Sequence, residues 1–158
     1  LKKACVDGVM EQERVIDLAR EFVEKISKEC PIKFAYLFGS FATGTFNNMS
    51  DVDIAVMFEE EIPAIDEAIL RGLLMEEGKA LFKRDVDIVS LKNANIFLKY
   101  SIIKDGIILK DHEERSLFEA SVLREYLDFS YYSEILYNQK ILESIKNKEF
   151  FKKDQKDI

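Results

Sequence analysis

The stretch that decides the fold runs Phe34-Ala35-Tyr36-Leu37-Phe38, then Gly39-Ser40-Phe41-Ala42-Thr43-Gly44-Thr45-Phe46-Asn47-Asn48-Met49-Ser50, then Asp51-Val52-Asp53-Ile54-Ala55-Val56-Met57-Phe58. Its first part is short, apolar and bounded by Pro31 and Gly39, which reads as a buried strand. The middle collects small and polar side chains and reads as a loop with room for one helical turn. The last part reads as a second strand, polar on alternate positions at its start. Residues i and i+2 of a strand project from one face, so Asp51 and Asp53 point the same way. Two adjacent carboxylates repel, and one takes a proton unless a cation lies between them. Hard oxygen donors in that geometry suit Mg²⁺. A pair of solvated acids at a strand end accounts for the same residues equally well. Gly39-Ser40 is a weaker signal: glycine lets backbone approach a phosphate and the serine hydroxyl can donate to it, yet ordinary turns use the same pair.

Working outward, Val9, Met10, Ile16, Ala19, Phe22, Val23 and Ile26 recur at helical spacing from Val9 to Glu29. Cys30-Pro31 ends that helix, because the residue before a proline is pushed out of the α region. Downstream, Pro63 opens a helix to about Phe82, with Ile65, Ala68, Ile69, Leu73, Leu74 and Leu81 as its expected buried stripe. Asp85-Val86-Asp87-Ile88-Val89 is a third strand. A carboxylate inside a β-branched run needs a partner. Asp87 is therefore the candidate to join Asp51 and Asp53, whereas Asp85, nearer the strand end, reads as solvated. A helix over about 94–104 follows, with Gly106 placed to cap it, and Ile107-Ile108-Leu109 adds a short edge strand. Asp111 with Glu114 offers a capping-box-like start to a last helical region of about 113–147, as one helix or two. The tail, Lys148 to Ile158, is rich in Lys and Asp and is expected to fray. The expected architecture is α+β: a small mixed sheet with helices packed on one side. It forms a single domain over 1–158, with a core at about 30–110 and a C-terminal helical extension at about 111–147.

With 158 residues, 47% hydrophobic and 34% charged, the chain reads as one ordinary globular domain. The net charge of −7 argues against a protein that grips phosphate backbones over a wide surface, which needs a basic stripe. It leaves room for a nucleotide held through metal. Cys5 and Cys30 show neither metal-ligand spacing nor a disulfide framework, and neither a signal peptide nor a membrane-spanning run is evident, so a cytoplasmic setting is expected. His112, the only histidine, is expected in the first turn of the last helix with no special role. Most of Tyr126, Phe129, Tyr131, Tyr132 and Tyr137 are expected in the core, with a minority free to face a partner.

Gly39-Ser40, ten residues, then Asp51-x-Asp53 resembles the signature of the DNA polymerase β-like nucleotidyltransferase superfamily. The four fixed positions alone arise by chance in about one chain in several hundred, and the flanking strands and Asp87 make coincidence much rarer. The small size resembles the minimal nucleotidyltransferases. Gly106 to Asp111, Arg115, Phe118-Glu119 and Tyr126-Leu127-Asp128 resemble their MntA-like branch, the antitoxins of HEPN–MNT toxin–antitoxin pairs. One departure is Thr43, where many members carry Arg, a change that weakens triphosphate binding if nothing replaces the charge.

The resemblance implies a nucleotidyltransferase fold in which Gly39 and Ser40 hold the β/γ-phosphates of ATP. It also implies that Asp51 and Asp53 bind two Mg²⁺ roughly 3.5–4 Å apart, and that Asp87 ligates one metal and accepts the proton of the attacking hydroxyl. The implied acceptor is a tyrosine of a HEPN RNase toxin, silenced by the AMP it receives. Two other readings are a transferase for small aminoglycoside-type acceptors and an antitoxin that acts by binding alone.

Overall fold

A computed structural model describes residues 2–59 and 62–146. The chain runs α1 (Lys2–Ile26), β1 (Ile32–Phe38), a single turn α2 (Ser40–Thr43), β2 (Val52–Phe58), α3 (Ala64–Phe82), β3 (Val86–Ser90), α4 (Ile96–Asp105), β4 (Ile107–Lys110) and α5 (Arg115–Lys146). The four strands form one mixed sheet in the order β3-β2-β1-β4. β1 pairs antiparallel with β2 and β4, while β2 and β3 are parallel. Parallel neighbours need a long crossover, and α3 supplies it.

Helices cover both faces of the sheet, not one as expected. Ala35, Leu37, Val52, Ile54, Val56 and Ile88 pack with α1 and with Leu74 and Phe82 of α3, where the rings of Phe22 and Phe82 meet edge to face. Phe34, Tyr36 and Ala55 point the other way and pack with Leu91, Ile102 of α4 and Phe118 of α5. β1 is central and buried on both sides, so its sequence is a continuous apolar run and not an alternation. Ile32 faces the α1 side despite its even number, because the β1–β2 register shifts between Ile32 and Phe34. Tyr36 ties α5 to the central strand: its hydroxyl donates to Glu119 at 2.7 Å, and Arg115 donates to the same carboxylate and to Asp111. Burial and that hydrogen bond push the Tyr36 phenol up.

The stripe expected inside α3 is largely outside. Leu74 is buried, but Ile65, Ile69 and Leu73 are 60–73% exposed and Ala68 and Leu81 are exposed too. The inward face is instead Glu67, Leu74, Gly78 and Phe82. Glu67 is tolerated there because both its oxygens accept from the Asn93 amide at 3.0 Å. Two glycines of α3 differ in their reasons. A Cβ on Gly78 would stand 3.1 Å from Val86, so close packing on β3 demands it; a Cβ on Gly72 would meet nothing within 4 Å. An interior helical glycine costs about 1 kcal/mol against alanine, and at Gly72 nothing within the chain offsets that.

Three smaller expectations also change. α5 is one helix as far as Lys146, and Asp111 and Glu114 pair with Arg115 and Lys33 in place of a capping box. His112 lies ahead of α5, not within it. Gly106 does cap α4, donating to Ile102 O, but in extended conformation, where a side chain would strike that same carbonyl. Tyr131, Tyr132 and Tyr137 are exposed, as is Phe129. The tail from Lys148 and the side chains of Cys5, Val9 and Met10 lie outside what is described, and no described helix is long and apolar enough to cross a membrane.

Candidate functional site

The five residues singled out from the sequence gather at one end of the sheet. Phe38 lies opposite Asp53 in the β1–β2 ladder, and Asp53 lies beside Asp87 in the β2–β3 ladder. Asp53 and Asp87 share parity with Ala55 and Val89, so they face away from the α1 core. Asp51 sits exposed just before β2, where Val52 N–H donates to Asp85 O at 2.9 Å and holds the two strand starts together. Asp51, Asp53 and Asp87 line one cleft of about 500 Å³, which wraps the β3 edge to reach Met75, Glu76 and Lys79 of α3.

Electrostatics mark Asp53. Burial first, then the carboxylates of Asp87 and Asp51, push its carboxyl up to about 6. That is the state of an acid group for which a divalent cation would relieve both desolvation and repulsion. The all-oxygen donor set fits Mg²⁺. Among the described residues no three acids, histidines or cysteines already stand at metal-ligand spacing. Asp85 lines the same cleft but is exposed and paired with Lys79 at 2.6 Å.

Gly39 has no substitute. Its backbone is left-handed (φ 71°, ψ −149°), and a Cβ would stand 2.2 Å from Asp53 Oδ2. It therefore turns the chain out of β1 and leaves the aspartate its space. Ser40 opens the turn α2, whose Phe41 is fully buried and stacks on Phe46 at 4.5 Å. Gln12 of α1 donates to Phe41 O at 2.7 Å. The Thr43 hydroxyl bonds within its own turn, to Gly39 O at 3.2 Å and to Thr45 at 2.9 Å.

Sequence reading missed Arg84. Its guanidinium donates to the carbonyls of Asn47, Asn48 and Ser50, pairs with Glu11 and lies 5.4 Å from the centre of the Phe41 ring. Two residues ahead of β3, it fastens the loop that delivers Asp51. The only available signal was a cation beside an acid-bearing strand, and that is too common to single out. Lys79, the one cation lining the cleft, was equally silent.

Residues 20–115 match the family model described as polymerase beta, nucleotidyltransferase. The protein adenylyltransferase MntA of Shewanella oneidensis is 29% identical over 61% of this chain and 63% of its own length. The chain thus spans less than two thirds of that relative. The protein adenylyltransferase MntA of Aphanizomenon flos-aquae is 30% identical over 66% of this chain and 75% of its own. A crystal structure of a toxin–antitoxin with AMP-PNP superposes with a TM-score of 0.65 at 23% identity, covering 77% of this chain and 98% of that one, which shows a common fold.

Proposed function

Because this chain belongs to the polymerase beta nucleotidyltransferase family, with MntA adenylyltransferases among its relatives, we propose that it transfers AMP from ATP to a tyrosine of a HEPN toxin and so acts as an antitoxin. The observation that carries this reading is the shared cleft of Asp51, Asp53 and Asp87 with Gly39 wedged against Asp53. The AMP-PNP bound by the structural neighbour supports a nucleotide donor.

In this reading Asp51, Asp53 and Asp87 would hold two Mg²⁺. Those ions would neutralise charge on the attacking and leaving oxygens of an in-line displacement at the α-phosphorus. Gly39 and Ser40 present backbone N–H groups and a hydroxyl to the β/γ-phosphates. Asp87, on the edge strand β3 and half-buried, is the carboxylate assigned to take the proton of the incoming acceptor. The new bond is O–P to the acceptor, and pyrophosphate leaves. Thr43 donates no positive charge, so phosphate binding rests more on metal than where Arg stands. The free thiol of Cys30 and a net charge of −7 suit reaction in the cytoplasm.

The test is to incubate the chain with ATP, Mg²⁺ and a HEPN protein from the same genome, then weigh both by intact mass spectrometry. Gain of one or more AMP units on the HEPN protein is expected. No gain, with toxin activity still suppressed, would favour neutralisation by binding alone.

A further inference from the structure

Resting on that reading, we infer that the exposed face of α3 is the docking surface for the protein acceptor, whose contact patch is apolar with a basic rim. Residues on a helix advance about 100° each. Ile65, Ala68, Ile69 and Gly72 therefore fall on one side of α3, and Glu76 and Lys79 continue the same side into the cleft. The stripe spans about 16 Å from Ile65 to Glu76 and ends where the aspartates begin.

Three observations converge on this face. Ile65 and Ile69 are 73% and 60% exposed on a helix whose other side is fully packed. Gly72 sits mid-helix with open space where its side chain would be, so no internal contact requires glycine there, unlike Gly78. The absence of a side chain is what lets another backbone approach closely. The third observation is continuity: Met75, Glu76 and Lys79 of the same helix line the cleft that holds Asp87. A hydroxyl delivered to Asp87 around the β3 edge arrives over this surface. The cleft end of this face is acidic, because Asp51, Asp53, Glu76, Asp85 and Asp87 outnumber Lys79 there, so it complements a basic patch around the reacting hydroxyl.

The test uses the whole chain, Mg-ATP and a HEPN protein from the same genome. Ile69→Glu and Gly72→Trp are expected to slow AMP transfer at least tenfold at low partner concentration by raising the KM for the partner. Melting temperature should not fall below the wild-type value, and calorimetric affinity for Mg-ATP should match it. Wild-type transfer by both variants overturns the proposal. If the wild type transfers no AMP, the reading under Proposed function fails on its own. The surface is then read by co-sedimentation, where Ile69→Glu must abolish a complex that the wild type forms. An undiminished complex, or none with the wild type, overturns the surface as well. A chain that sediments alone as a dimer and is split by Gly72→Trp assigns the face to a second copy, which also overturns it.

Discussion

The two sides that flank the aspartates are built in opposite ways. The wall that follows β1 and carries the chain to Asp51 is pinned from every side: Phe41 is fully buried, Gln12 holds its carbonyl, and Arg84 fastens the loop down to Asp51. The wall from α3 is held only by its inner face, and it presents isoleucines, an unrequired glycine and one mobile-length lysine to solvent. A site that must set phosphates and metals to within fractions of an ångström gains from the first construction. A site that must admit a large second reactant gains from the second. Under the proposed function, the donor would take the fixed wall and the acceptor the open one.

The sharpest way to break the comparison is Asp53→Asn. Losing the carboxylate common to both walls should lower AMP transfer on the order of 10³-fold, measured by single-turnover mass spectrometry. Retention of a tenth of the rate would remove Asp53 from the site. Next comes Gly39→Ala against Gly72→Ala. The first forces a Cβ onto Asp53 at a positive φ and should cost about 1–3 kcal/mol of stability with most of the activity. The second should stabilise by about 0.5–1 kcal/mol, and chemical denaturation reads both. Arg84→Ala should reduce turnover about 10–100-fold by freeing the loop that carries Asp51. Arg84→Lys should not restore it, since one ammonium cannot reach three carbonyls and a ring together; full rescue by Lys would show that charge alone matters.

The smallest effect concerns pH. The Asp53 carboxyl titrates near 6 in the folded chain against an ordinary 3.8. Folding therefore favours its protonated form. The stability this group contributes is complete below about pH 4 and is lost as pH rises through about 6. The metal-free protein should lose about 1 kcal/mol across that window relative to Asp53→Asn, a figure discounted because the group is partly solvated. Mg²⁺ at neutral pH should recover it. Superimposable melting-temperature curves for the two proteins would contradict the charge crowding.

Much of this was legible in the sequence. The strand–turn–strand around Gly39 to Asp53 and the span of α3 after Pro63 were set by local rules of turn chemistry, period and burial. The rules failed where the answer depended on what covers a surface. Ile65, Ile69 and Leu73 recur as core residues do, but periodicity reports an apolar face and not its occupant. β1 could not announce helices on both sides, because an apolar run of five residues looks the same under one layer or two. Arg84 was illegible since its partners, Glu11, Phe41 and Asn47 to Ser50, are 34–73 residues away in sequence, and only the β2–β3 pairing brings them together.

That remoteness bears on how the chain is made. A nascent polypeptide that has left the ribosome only as far as Phe82 already carries the glycine turn and two of the acids, yet lacks both the third acid and the residue that clips their loop in place. Both missing parts lie within Arg84-Asp85-Val86-Asp87, and parallel pairing of distant strands forms late. Catalytic competence should therefore arrive in a single step near the end of folding, with no feebly active half-enzyme before it.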